Sequence, residues 1–300
     1  MSDTLKNAIS DTDLMRYNKQ GLIPSPNESE EAFLSRVHTC LGLKELLKAE
    51  GDQLPFKTGI SGANELLEEA FVITQDFYDM HPSWLPVFFS NYQLTPWHGG
   101  CAWIFQLQEE APRTAFLQLR KAFAYRKKYL KFYSRTELVA HECAHVGRMA
   151  FDQERFEELL AYRSSDSWFT RWLGPIVQSA GESLMFMGSL FALFVVDLYL
   201  ILSDSYEMYL WVMWLKIIPF GLLIFGIGRL WQRHRVFNRC HANLKGATGS
   251  SETANHIIYR LTDDEIVNFS TLSSNEIIMV AKTNKNLSSL RWRLLTLAYF

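Results

Sequence analysis

The sequence has few cysteines, no glycine or proline bias and no strong excess of charge. The four cysteines of the 300-residue chain lie far apart and form no C-x-x-C pair, which argues against a disulfide framework and a cysteine zinc knuckle. Sixteen glycines and nine prolines give no fibrous signature. A net charge of −2 offers no global argument for nucleic-acid binding. With 48% hydrophobic and 14% aromatic residues, the chain is too apolar for an intrinsically disordered protein.

The first half of the sequence has the patterns of a mixed helical and β domain. The first 22 residues contain neither the basic start nor the apolar run of a secretory signal, so we expect the N-terminus in the cytosol. We predict a flexible N-terminus over residues 1–28 and a cytosolic domain over residues 29–175. Apolar spacing and turn signals predict helices over Ser29–Ala49 and Ala63–Tyr78, and strands over Cys101–Gln108 and Thr114–Leu119.

Two long apolar runs follow this domain. Leu184–Leu202 and Tyr209–Gly228 contain one charge each, Asp197 and Lys216, and a six-residue polar segment joins them. At 1.5 Å per residue, each run covers about the 30 Å hydrocarbon core of a bilayer. A pair of buried helices in a soluble protein would instead need a large partner surface on nearly every side. The runs therefore predict a transmembrane helical hairpin over residues 184–228.

The charges that flank the hairpin predict its orientation. Arginines lie on the two outer sides of the apolar runs, whereas the charged residues of the joining loop are both acidic. The two runs predict an integral membrane protein with two spans. By the positive-inside rule, we expect both termini in the cytosol. Because charges inside a membrane are costly, we expect Asp197 and Lys216 to pair or to reach the outer interface. The flanking arginines are Arg163, Arg171, Arg229, Arg233, Arg235 and Arg239.

The residues after the hairpin, 229–300, are predicted to form a cytosolic C-terminal tail without a chemical motif. Gly246–Ser251 has the composition of a linker. Short helical patterns follow over Asp263–Phe269, Asn275–Lys282 and Leu287–Phe300.

One motif carries chemistry. His141-Glu142-Cys143-Ala144-His145 matches H-E-x-x-H, and on a helix the two histidines emerge on one face, one turn apart. Two imidazoles so placed can bind one metal ion, with Glu142 beside it as a proton acceptor. Ser134 and Glu137 match a capping box that would start this helix.

A catalytic zinc site takes three protein ligands and one open position, so a third ligand is required. Glu158 is the preferred candidate and Glu157 the competing one. A straight helix would carry Glu158 about 20 Å along its axis from the histidines, so the chain must turn between them. We predict a loop near Ala150–Asp152, with Asp152 as the N-cap of a second helix that begins at Gln153 and runs antiparallel to the first.

These residues resemble a known family. His141-Glu142-x-x-His145 followed by Glu158-Leu-Leu-Ala161-Tyr162-Arg163 resembles the gluzincin superfamily of zinc metallopeptidases. The resemblance is greatest to the membrane-anchored branch of heat-shock membrane and CAAX-processing peptidases, which carry H-E-x-x-H and a later E-x-x-A-D-R. Tyr162 stands where that family has an Asp, which normally supports a metal-binding histidine. The spacing to the glutamate is also short, and the hairpin follows both motif elements instead of separating them.

The resemblance implies an α+β, mostly helical zincin-like domain over residues 29–175. It implies Zn²⁺ held by His141, His145 and Glu158, with Glu142 as the general base that takes a proton from a zinc-bound water. It also implies that a strand before the active helix aligns a peptide or protein substrate, a role open to either predicted strand.

The residue that stabilises the oxyanion stays open among three donors. Tyr162 is the one we place in the catalytic set, and Arg148 and His98 are the alternatives. The predicted function is hydrolysis of peptide bonds on the cytosolic side of a bacterial inner membrane or an organelle membrane. The alternative is a non-catalytic, membrane-anchored adaptor or scaffold with a vestigial metal site and a basic lipid-facing surface.

A basic stretch over Ala111–Thr136 is a further candidate for binding. It holds eight Lys and Arg residues with interleaved aromatics and no Asp or Glu. Beside a membrane hairpin it can contact anionic lipids, and a solvated basic face is the other interpretation. Nucleic acid is the less favoured partner because no binding motif accompanies the charges.

Overall fold

A computed structural model describes residues 8–49, 63–130, 133–176, 180–285 and 289–300. The parts of the predictions that fall on residues 1–7 and 287–288 lie outside the described residues.

The described chain is mostly helical with a small mixed sheet, so its class is α+β. The helices are α1 Asp11–Lys19, α2 Glu30–Ala49, α3 Ala63–Tyr78, α4 Arg135–Gly147, α5 Glu157–Ala161, α6 Trp168–Leu173, α7 Ala180–Leu202, α8 Tyr206–Val212, α9 Ile217–Thr248, α10 Ser251–Arg260, α11 Asp263–Phe269, α12 Ser274–Lys285 and α13 Leu290–Ala298.

The sheet has three strands, β1 Val87–Phe89, β2 Gly100–Gln106 and β3 Arg113–Leu119, in the order β1-β3-β2. The central strand β3 runs parallel to β1 and antiparallel to β2, with Ala102 opposite Leu117. Its residues after Arg113 are all buried, whereas β2 is only partly buried. A separate two-stranded ribbon, β4 Lys128–Tyr129 and β5 Tyr133–Ser134, leads into α4. The sheet thus presents β2 as an edge strand.

The predicted helices and strands of the first half are confirmed with small changes at their ends. Helix α3 has the predicted bounds, α2 starts one residue later, and β2 and β3 lie where strands were expected. The 1–28 segment differs from the expected flexible N-terminus. Within its described part, α1 begins at the N-cap Ser10, and Leu14 and Tyr17 are buried in the core.

The residues after the hairpin belong to the same core as those before it. Phe237, Ile257 and Leu294 lie in one continuous hydrophobic cluster with Phe33, which precedes the hairpin. The prediction of a separate C-terminal tail is therefore wrong in this respect, although its helices α11 to α13 fall close to the predicted positions. The hairpin is an insertion within one packed body.

The predicted linker over Gly246–Ser251 is mostly helical. Helix α9 continues to Thr248, and Gly249 closes it with φ of 75°, a left-handed conformation that glycine adopts without a steric penalty. Ser250 then caps α10, since its hydroxyl accepts a hydrogen bond from the Thr253 N–H. The two helices are joined by two residues instead of a flexible segment.

The hairpin is built from α7, α8 and the first part of α9. Two helical segments, Gly181–Leu202 and Glu207–Thr248, are long and apolar enough to cross a membrane, and only 6% and 11% of their apolar windows are buried. Such low burial distinguishes them from core helices of a soluble protein. Lys216 Nζ lies 2.9 Å from Asp197 Oδ2, so the expected pairing of the two charges is confirmed.

Candidate metal centre

Helix α4 carries the H-E-x-x-H motif through the centre of the packed body. Six of its apolar residues are buried, namely Leu138, Val139, Ala140, Cys143, Ala144 and Val146. Close packing continues at its end, where a Cβ on Gly147 would come within 2.2 Å of the Tyr259 hydroxyl oxygen. Tyr259 donates a hydrogen bond to the Ala144 carbonyl at 2.6 Å. The helix is therefore held in place by packing along its whole length.

The predicted capping box of α4 does not form. Ser134 is the N-cap residue, but its side chain makes no capping hydrogen bond. The Glu137 carboxylate instead accepts hydrogen bonds from the Ser165 hydroxyl at 2.9 Å and from the Asp166 N–H at 3.3 Å. Its partners thus come from the segment that follows α5, which ties this segment to the start of α4.

The chain turns between the histidines and the glutamates, as predicted, but the second helix starts later than expected. Helix α5 begins at Glu157 with Phe156 as its N-cap. Asp152 does not cap it, because its carboxylate pairs with Arg113 of β3 and its φ is 51°. The Arg155 N–H donates to Asp263 Oδ2 at 2.8 Å, so the start of α11 fixes the loop that leads into α5.

Three of the predicted ligands come together at this turn. His141 Nε2 lies 3.3 Å from His145 Nε2, and the Glu158 carboxylate oxygens lie 3.8 Å and 3.6 Å from these two nitrogens. Four ligands placed tetrahedrally at about 2.0–2.1 Å from zinc would be about 3.4 Å apart. The donors of these three residues all lie within 4.8 Å of one another. Two imidazole nitrogens and a carboxylate oxygen with this spacing can hold a metal ion.

Glu157 occupies a different position from Glu158. Its Oε1 lies 2.8 Å from His145 Nδ1, the ring nitrogen opposite the one in the cluster. A carboxylate bonded to the second nitrogen of a ligating histidine fixes the orientation and tautomer of the ring. Glu157 therefore serves as an orienting residue, a role that the sequence reasoning missed because it weighed Glu157 only as a ligand.

Glu142 lies between the cluster and the sheet. It is 7% exposed, and its Oε2 accepts a hydrogen bond from the Ala102 N–H of β2 at 2.7 Å. This amide points away from β3. In an antiparallel pair every second residue of a strand directs its backbone N–H and C=O away from the partner strand, so Ile104 directs its backbone groups to the same side as Ala102. Strand β2 is an edge strand of the sheet, whereas β3 is paired on both sides. A backbone contact of this kind leaves no residue-type signal in the sequence.

Tyr162 packs against the cluster from the side. Its ring makes an edge contact with His141, with centroids 4.6 Å apart at 69°. The absence of a side chain on Gly174 makes room for this ring, since a Cβ there would lie 2.4 Å from it. The aromatic ring thus supports His141 by packing where the resembling family has an Asp. The role of the Tyr162 hydroxyl as an oxyanion donor stays a prediction.

The two other oxyanion candidates lie in different surroundings. Arg148 is buried, and its Nη1 donates to the carbonyls of Tyr259 and Leu261 at 2.5 Å and 2.9 Å. The His98 side chain is exposed in a turn, in which the backbone N–H of His98 donates to the Thr95 carbonyl at 3.0 Å. Arg148 therefore ties the C-terminal helices to the end of α4.

The charges around the cluster favour a cation. Burial, together with the neighbouring His145, lowers the pKa of His141 to about 3. Burial also acts to lower the pKa of His145, but the hydrogen bond with Glu157 and the nearby carboxylates outweigh it and raise the value to about 9. Desolvation raises the pKa of Glu142 and of Glu158. His141 is thus neutral at neutral pH, as a metal ligand must be, whereas a metal ion that binds here has to displace a proton from His145.

The basic stretch is divided by the fold. Three of its arginines have internal partners, namely Arg113 with Asp152, Arg120 with the carbonyls of Thr95 and His98, and Arg135 with Glu69. Four other residues, Lys121, Arg126, Lys127 and Lys128, are exposed. Lys131 lies outside the described residues. Contact of this stretch with anionic lipids stays a prediction.

Comparison with family models, with curated proteins and with solved structures finds no match to this chain. The resemblance to gluzincins therefore rests on the motif residues.

Proposed function

We propose that this protein is a membrane-anchored zinc metallopeptidase that hydrolyses peptide bonds on the cytosolic side of the membrane. The observation that carries the proposal is the convergence of His141, His145 and Glu158 beside a buried Glu142 that contacts an edge strand. Two imidazoles and one carboxylate form a donor set typical of catalytic zinc, with a fourth position left for water or substrate. Zinc bound there would activate water and polarise a carbonyl.

Glu142 is suited to move a proton in this reaction. Its carboxylate lies on the same helix as the two histidines and next to them in the chain, and the Ala102 N–H holds one of its oxygens at 2.7 Å. The other oxygen remains for a water molecule in the site. Glu142 then takes the proton of this water and delivers it to the leaving amine. The Ala102 hydrogen bond orients the Glu142 carboxylate for this role.

The edge of β2 is suited to align an extended substrate. The free backbone groups of Ile104 lie on the same side of the strand as the Ala102 N–H that reaches Glu142. A peptide that adds to this edge as a further strand gains main-chain hydrogen bonds and passes next to Glu142. Such pairing recognises the extended backbone of a substrate before any side chain.

The hairpin supplies the membrane anchor in this proposal. The hairpin exposes large apolar side chains on nearly every side, for example Phe191, Trp211 and Ile224. A bilayer would remove them from water. Under the positive-inside rule, the arginines after the span support an orientation with the packed body in the cytosol.

Metal analysis of the purified full-length chain tests the site. We expect about one zinc per chain, lost in His145→Ala and kept in Glu142→Gln and in His38→Ala, the control at an exposed histidine outside the site. Glu142→Gln should also abolish hydrolysis of a peptide library. Zinc retained in His145→Ala would rule out the site. Zinc lost in His145→Ala without any hydrolysis by the wild type would favour the adaptor.

Cysteine labelling tests the orientation. The cysteines Cys40, Cys143 and Cys240 are buried and Cys101 is partly buried, so a cysteine introduced by Ser205→Cys can be detected above them. We expect it to react only with a reagent on the side opposite the packed body. Reaction from the cytosolic side would contradict the orientation.

A further inference from the structure

A cleft lies where the hairpin joins the packed body, between α6 and α9. Its volume is about 480 Å³, and its lining combines two tryptophans with basic and polar side chains. None of the described residues that line it is acidic. The lining residues on which the argument depends are Trp172, Trp231, His234, Arg235, Asn238 and Arg239.

One wall of the cleft is a stack of aromatic rings. Trp168 and Trp172 stack with centroids 6.2 Å apart at 7°, and Trp172 stacks on His234 at 5.9 Å and 11°. The Trp172 carbonyl also lies 3.0 Å from His234 Nε2. Trp168 and Phe169, at the start of α6, are 72% and 64% exposed. Exposed aromatics next to an apolar span are typical of the interface between hydrocarbon and headgroups.

The other wall carries two arginines without carboxylate partners. Arg235 and Arg239 are exposed and lie one turn apart on the same face of α9. In the described part of the chain neither forms an ion pair, and the Arg235 guanidinium lies over the ring of Trp231, 5.4 Å from its centroid. By contrast, Arg229 closer to the span pairs with Glu182. Two unpaired guanidinium groups at this spacing suit a phosphate, which arginine binds with two parallel hydrogen bonds.

The axial positions agree with the depth of lipid headgroups. If Trp231 lies at the end of the hydrocarbon, Arg235 is about 6 Å and Arg239 about 12 Å further along the helix. The headgroup layer is about 5–7 Å thick on each side. Helical side chains lean towards the N-terminus, which on α9 is towards the membrane. Both guanidinium groups can therefore reach the phosphate level.

We propose that this cleft binds the phosphate of an anionic phospholipid, held between Arg235 and Arg239, with Trp231 against the glycerol and upper acyl region. The inference rests on the membrane insertion of the hairpin, which belongs to the proposed function. The site anchors the junction of α6 and α9 to the cytosolic leaflet, and is separate from the exposed lysines of the basic stretch.

Native mass spectrometry of the full chain in neutral detergent tests the proposal. The ligands are short-chain phosphatidylglycerol, short-chain phosphatidylcholine, glycerol 3-phosphate and inorganic phosphate. We expect phosphatidylglycerol to bind more tightly than phosphatidylcholine. The double variant Arg235→Gln/Arg239→Gln should weaken phosphatidylglycerol binding about 30-fold, the effect of two basic residues at a membrane surface. The control Lys245→Gln/Lys282→Gln removes the same charge from exposed positions of α9 and α12 outside the cleft and should bind like the wild type.

Three results would overturn the proposal. The first is equal binding of both lipids by the wild type. The second is a loss of affinity in the control as large as that in the double variant. The third is displacement of phosphatidylglycerol by inorganic phosphate as effectively as by glycerol 3-phosphate, which would identify free phosphate as the ligand. Alkaline extraction from neutral vesicles checks the anchor separately. A protein that is extracted contradicts membrane insertion, whereas one that stays embedded without headgroup preference contradicts only the lipid site.

Discussion

The two halves of helix α9 differ in their surroundings although the helix runs through both without a break. Phe220 in the first half is 62% exposed, whereas Phe237 in the second half is 1% exposed. In the described part of the chain, the first half lies mainly beside the other hairpin helices and the short segment Gly174–Ile176, while the second packs against α10, α11 and α12. Burial for the second half is thus provided by the protein itself, and burial for the first half has to come from outside the chain. The comparison shows that apolar composition alone does not distinguish the two environments.

The packed half of α9 also connects the hairpin to the metal centre. It leads into α10 and α11, whose residues Tyr259 and Asp263 bond to the end of α4 and to the loop before α5. The centre is therefore assembled from segments on both sides of the hairpin. The helix that carries the two histidines therefore lies in a body whose hydrophobic core is formed by residues outside the spans.

The largest predicted effect comes from a matched pair of substitutions within α9. Phe237→Ala should lower the free energy of unfolding by about 3–5 kcal/mol, because it empties a filled core position. Phe220→Ala should change it by less than about 0.5 kcal/mol. Denaturant unfolding of the detergent-solubilised protein, followed by tryptophan fluorescence, measures both. Equal effects would show that the exposed half of α9 is packed against protein in solution. The difference in surroundings between the two halves of α9 would then be contradicted.

Local patterns in the sequence predicted most elements and the members of the metal cluster. Helical structure depends directly on the spacing of residues that are close in the sequence. This holds for the apolar spacing of α3 and of the spans, and for the four-residue separation of His141 and His145. The turn that returns Glu158 to the histidines could also be deduced, because a straight helix would carry it out of reach.

The wrong predictions concern side chains that bond to a partner far away in the sequence. Asp152 and Ser134 have the right residue types for N-caps, but Asp152 pairs with Arg113, and Glu137 is bonded to the segment after α5 instead of the Ser134 N–H. The C-terminal helices were assigned to a separate tail for the same reason. Their contacts with α4 join residues more than 100 positions apart, and no local pattern encodes such pairs.

A second comparison involves two carboxylates that each contact a base, one in the metal centre and one in the hairpin. Glu157 lies 2.8 Å from His145 Nδ1, and Asp197 lies 2.9 Å from Lys216 Nζ. Glu157→Gln should weaken zinc binding about 10- to 100-fold, because the orienting negative charge of the histidine partner is lost. Asp197→Asn should leave zinc affinity unchanged.

Competition with a chelator measures the zinc affinity of both variants. Unchanged affinity in Glu157→Gln would show that its contact with His145 is incidental. A complete loss, as large as that of His145→Ala, would make Glu157 the third ligand in place of Glu158.

The smallest predicted effect separates two helix starts within the packed body. Thr262 forms a full capping box at α11, in which its hydroxyl accepts from the Glu265 N–H at 3.1 Å and Glu265 accepts from the Thr262 N–H at 2.8 Å. Thr262→Ala should therefore cost about 1 kcal/mol of unfolding free energy. Ser134→Ala should cost less than about 0.5 kcal/mol, since Ser134 makes no capping bond and α4 is held by its buried neighbours. Denaturant unfolding compares them, and a larger loss in Ser134→Ala would mean that α4 depends on its cap and not on its packing.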